Sequence, residues 1–122
     1  EKDADHLAMI RQLPCVVTLA RTGVEAYGVE ACHVRTAYPV AGWGGNPGLS
    51  VKPSDWRCLP MLPAVHREQH ARGDEQAFWR DVGIYPPTLC AQLRLISPSL
   101  EQALQIIRGA ADAVRIPVRR KK

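Results

Sequence analysis

Aromatic residues are scarce in this 122-residue chain, with three Trp, three Tyr and one Phe making 6% of the total. A core with so few rings has to be mainly aliphatic, and modest. No apolar run approaches the roughly 18 residues that a helical membrane span needs, so no membrane partner is expected. Residues 1–6 (EKDADH) are charged and no apolar signal core follows them, so nothing marks secretion and a cytoplasmic location is the expectation. The chain has no CxxC pair. Its four cysteines, Cys15, Cys32, Cys58 and Cys90, are irregularly spaced and read as reduced thiols rather than a disulfide framework. Internal repeats and low-complexity blocks are absent. The length suits one domain and is too short for two ordinary ones.

The body of the chain also lacks excess charge of either sign. The 16 Lys and Arg against 12 Asp and Glu give a formal +4, but Arg119, Arg120, Lys121 and Lys122 supply the whole excess. A phosphate-binding surface must therefore come from this basic tail, residues 117–122, or from local clustering of Arg35, Lys52, Arg57, Arg67 and Arg72.

What is present is clear helix punctuation. Residues 3–13 read as a short helix with Asp3 or Asp5 as cap, Leu7 and Ile10 on one face, and Pro14 as stop. Residues 15–19 (CVVTL) are a β-type run, and residues 29–36 (VEACHVRT) and 55–61 (DWRCLPM) are strand candidates. Between the last two, residues 37–54 hold three Pro and four Gly and read as a long loop. Pro63 and Gly73 bracket a helix over 63–71 that carries His66 and His70. Asp74 caps a helix over 75–82, and Pro86 and Pro87 open another. Ser99 and Gln102 form a capping-box pattern before an amphipathic helix running to Arg115. Such a helix packs on its own core or, alternatively, meets a second copy or a protein partner.

Two histidines four apart on a helix share a face and can grip one metal ion. The pentad His66-Arg67-Glu68-Gln69-His70 is not HExxH, because its acid sits at the third position and points away from the His face. The Gly-rich segment 42–48 lacks the Lys-Ser/Thr ending of a phosphate loop. The order is more specific than any single residue: a strand-borne His33, a long Gly-rich loop, a strand, then a helix with His-x3-His. That is the layout of a ββα-metal (HNH) nuclease site, in which one His activates water and a divalent cation sits on the scissile phosphate.

On these residues the chain resembles the phage and prophage HNH endonucleases of the recombination-enhancement (Ref-like) type. The matching stretches are HLAMIRQLPC (6–15), EACHVR (30–35), KPSDWRCLPM (52–61), HREQHARGDEQAFWRDVGI (66–84) and PPTLCAQL (86–93). The resemblance implies a bacterial or phage-encoded DNA endonuclease and an α+β fold. The small ββα-metal core would carry a long Gly-rich hairpin loop, ringed by short helices. The resemblance covers about 6–94; the expected organisation is a nuclease domain over 1–96, with the amphipathic helix 97–116, which lies outside the resemblance, packed on it. His33 matches the general base. His66, His70 and Cys32 match the metal positions, for Mg²⁺, Mn²⁺, Ni²⁺ or Zn²⁺. Asp55 is the candidate for the polar residue that orients the base or assists the metal. Both histidine roles need neutral imidazoles, so activity is expected to fall on acidification.

The structural zinc knuckle of such nucleases is degraded here. Where CxxC stands before the first strand, this chain has Cys15-Val16-Val17-Thr18. Where a second pair precedes the helix, it has Leu62 and Val65. No structural zinc is expected, and an apolar contact of Leu62 and Val65 with residues 16–19 takes its place. A zinc site improvised from Cys15, Cys32 and Cys58 is the alternative. The loss also raises a second functional reading, a catalytically inactive HNH-like module that binds DNA or protein.

Overall fold

The computed structural model describes residues 2–43 and 54–115. Lys52, the Gly-rich residues 44–48 and the basic tail lie outside them. The chain runs α1 (Ala4–Arg11), α2 (Val16–Thr22), β1 (Glu30–His33), a 3-10 turn (Pro39–Ala41), β2 (Cys58–Met61), α3 (Pro63–Arg72), α4 (Glu75–Val82), α5 (Pro86–Ile96) and α6 (Leu100–Arg115). The α+β class expected from the sequence is therefore the observed one. No helix among the described residues is long and apolar enough to cross a membrane.

Local chemistry sets most of these boundaries. Asp3 caps α1, its carboxylate accepting the His6 N–H at 3.0 Å, and Asp74 caps α4 through the Ala77 N–H at 3.0 Å. Proline opens α3 and α5, where its missing N–H costs no helical bond. Gly73 and Gly83 end α3 and α4 in the left-handed conformation.

One element departs from expectation. Residues 15–19, expected as β-type, form the start of α2. Val16, Val17, Leu19 and Ala20 are all buried and Thr18 is the one polar residue among them, too little to reveal a helical period. Cys15 supplies the cap, its Sγ accepting the Thr18 N–H at 3.5 Å, and Gly23 closes the helix at φ 79°.

The two strands pair antiparallel with Cys32 opposite Leu59 and His33 opposite Cys58. Beyond them the Val34 N–H donates to the Arg57 carbonyl at 2.8 Å, extending the pairing into the connection. Pro60 is tolerated because a two-stranded sheet consists of edges. α1 and α2 pack on the hairpin, α3 on α4, and α6 on α2 and α5. The core is largely aliphatic, as the composition requires, although Trp79 and Phe78 of α4 are fully buried within it. Leu62 and Val65 are half-buried and pack against the hydrophobic core, a cluster that also includes Val16, Val17 and Leu19.

Candidate functional site

β1 and α3 together line a cavity of about 190 Å³. Its walls include Cys32 and His33 from the strand, Arg35 just beyond it, and His66, Gln69 and His70 from the helix, with Glu75 at the start of α4. Four residues expected at the site, His33, His66, His70 and Cys32, thus meet in one concavity.

His33 stands at the end of β1 with its Nε2 3.0 Å from Asp55 Oδ1, the two side chains only 16% and 15% exposed. The expected partnership of Asp55 with His33 is therefore present. Asp55 in turn accepts the Asp3 N–H at 2.8 Å, which ties the dyad to the start of α1. That bond, with the His33 contact behind it, holds the Asp55 carboxyl below its ordinary range. An ionised carboxylate only accepts, so His33 Nε2 carries the proton and the lone pair lies on Nδ1.

The helix pair is arranged by a residue that sequence reasoning missed. Glu30 Oε1 accepts from His66 Nδ1 at 3.0 Å, which turns His66 Nε2 toward His70 Nε2, also 3.0 Å away. That separation is a hydrogen bond between the rings: with His66 Nδ1 donating to Glu30, His66 Nε2 accepts from His70 Nε2. A carboxylate on the far nitrogen is the usual support of a metal-binding His. Ligand atoms of Glu30, Cys32 and His66 lie within 4.8 Å of one another. The signal for Glu30 was available: residues two apart on a strand share a face, so Glu30 accompanies Cys32.

Cys32 is the weakest donor. Burial, reinforced by Glu30, pushes its thiol up to about 12, so it is neutral unless a cation displaces the proton. The improvised Cys15–Cys32–Cys58 site is not assembled. Glu30, Cys32 and His66 form the only convergent trio among the described residues, and Cys15 Sγ is occupied with Thr18.

The basic residues are dispersed. Only Arg35 lines the cavity, its backbone N–H bonded to Glu75 Oε1 at 3.1 Å. Arg67 is exposed on α3, while Arg72 pairs with Asp81 at 2.8 Å. Arg57 does not face outward as a phosphate contact would. Its guanidinium lies 4.6 Å from the Trp43 ring centre and 5.3 Å from that of Trp56. The apolar face of α6 is likewise used internally, with Ala103, Ile107 and Ala111 buried. Comparison of the chain with protein-family models, curated proteins and solved structures finds no match.

Proposed function

We propose that this chain is a metal-dependent DNA endonuclease of HNH type, hydrolysing phosphodiester bonds in a phage- or prophage-related setting. The observation that carries the reading is the His33–Asp55 contact at 3.0 Å, beside a cavity that His66 and His70 also line. Asp55 fixes the tautomer of His33, and Nδ1 of the neutral ring is the atom able to take a proton from water. Glu30 orients His66, and His66 with His70 would hold the cation, with Cys32 as a secondary donor. A bound Mg²⁺, Mn²⁺, Ni²⁺ or Zn²⁺ supplies charge stabilisation at the phosphate and the leaving oxygen. The water oxygen bonds to phosphorus as His33 removes its proton; the phosphorus–oxygen bond to the leaving group breaks, and that oxygen is protonated from solvent. Arg35 offers positive charge at the cavity wall for the same phosphate.

Plasmid nicking with each of the four metals tests this. Wild type should nick, and His33→Ala should be slower by roughly 10²- to 10⁴-fold. Undiminished cutting by the mutant removes His33 from the mechanism. The inactive-module reading draws support from the neutral, buried Cys32 thiol. It prevails if DNA binds but none of the four metals supports cleavage.

A further inference from the structure

A second surface, separate from the histidine cavity, is built from rings and guanidinium groups. Tyr85, Tyr38, Trp43 and Trp56 form a continuous series, in which Tyr38 and Trp43 are buried, Trp56 is half-buried and Tyr85 is open to solvent. Their ring centres are 5.2, 6.1 and 5.6 Å apart in turn, and each pair is edge-to-face. Arg94 lies over Trp56 at 4.6 Å, and Arg57 lies against both indoles. Three grooves follow this series and share members. The largest two, about 580 and 420 Å³, have Trp56, Ala91 and Leu95 in common, and the third, about 280 Å³, joins through Tyr85. Tyr85 is 47% exposed and Leu95 is 85% exposed, so the surface presents a large ring and a large aliphatic side chain to water. Among the described residues lining the three grooves none is acidic, whereas Arg80 and Arg94 are among them.

From these features we infer that the groove binds the unpaired bases of a single-stranded nucleic acid. Bases stack on the open Tyr85 ring and against Leu95, and Arg80 and Arg94 meet the backbone phosphates. An open ring beside arginines, with no carboxylate among the described lining residues, suits that occupant, because every base offers a π face and every linkage a negative charge. Trp56 follows Asp55 directly in the chain, which ties the groove to the segment that carries the His33 partner. The inference deepens the nuclease reading by naming the form of substrate, yet its test needs no cleavage.

The test is fluorescence anisotropy with a labelled oligodeoxythymidylate and an abasic oligonucleotide of the same length, in chelator, with circular dichroism to verify folding. The wild type should prefer the oligodeoxythymidylate. Tyr85→Leu should weaken that binding by about 5- to 150-fold, the range expected for loss of one stacked base. Tyr85→Phe should bind like wild type, and Leu95→Glu, at an exposed site, should bind weakly. Equal affinity of the wild type for the abasic probe would overturn the inference, as would unchanged binding by Tyr85→Leu. Self-association abolished by Leu95→Glu, without oligonucleotide binding, would make a second copy of this chain the occupant and equally overturn it. Loss of nicking activity with base binding retained would count against the nuclease reading alone.

Discussion

An imidazole is a directed base only when something decides which nitrogen holds the proton. In this chain Asp55 decides, and Asp3 holds Asp55 in place through a 2.8 Å bond from its N–H. Asp55→Asn replaces an obligate acceptor with a group that can also donate, so His33 loses its tautomer preference. Cleavage should fall by about 10- to 100-fold, the usual effect of removing an orienting partner, while circular dichroism stays unchanged. At the helix pair, His70→Ala should cost more metal affinity than Cys32→Ala, because burial keeps the Cys32 thiol protonated. Metal titration followed by calorimetry separates the two.

His6 makes a third residue-level case. It is 1% exposed, its Nδ1 lies 2.9 Å from Ser97 Oγ, and its Nε2 is buried with no hydrogen-bond partner. Burial lowers its pKa below the ordinary 6.5. The unfolded chain therefore binds a proton that the folded chain refuses, and stability is lost as pH falls below about 6.5 toward the depressed value. Urea midpoints should drop between roughly pH 7.5 and pH 5.5, and His6→Asn should flatten that drop. An equal drop in the mutant would place the sensitive group elsewhere.

At the scale of elements, α2 shows what ends a helix whose sequence favours strand. Gly23 closes it at φ 79°, where a Cβ would also meet the Arg115 guanidinium carbon at 2.8 Å. Gly23→Ala should therefore cost about 1–2 kcal/mol, read as a lower thermal midpoint. Caps of this kind are why much of the architecture was legible in the sequence. Pro63, Gly73, Asp74, Gly83 and the Ser99–Gln102 pattern mark boundaries through bonds made within a few residues, so the tertiary structure is not needed to place them. Residues 16–20 were not legible in that way, because a run whose one polar residue is Thr18 has too little polar face to report its period. In α1 the buried residues are His6, Met9 and Ile10, with Leu7 only half-buried; His6 takes the place expected of Leu7 because its ring pairs with Ser97. The site divides along the same line. His33, His66 and His70 announce themselves by residue type and spacing. The bond from His66 to Glu30 spans 36 residues; strand alternation places Glu30 on the face of Cys32, but that this face meets α3 is something no local pattern reports.

For the molecule as a whole, the question is what stabilises a small chain with few aromatic residues. α6 is the strongest answer, because it packs on α2 and α5 through Ala103, Ile107 and Ala111, all fully buried. Ile107→Ala should cost about 2–5 kcal/mol and lower the urea midpoint, whereas adding chelator should leave the midpoint where it is. Unfolding by chelator would return the fold to a metal-dependent one. The charge of the molecule is distributed differently from its packing. Residues 119–122 carry the whole positive excess, and in the body Arg57 and Arg72 are engaged with indoles and with Asp81. Deleting residues 119–122 should therefore weaken nonspecific DNA binding and flatten its salt dependence by up to about four phosphate contacts. The slope of log affinity against log salt measures this directly. An unchanged slope would mean that Arg35, Arg67 and the groove arginines Arg80 and Arg94 carry the phosphate contacts, and the tail would then have no part in holding DNA.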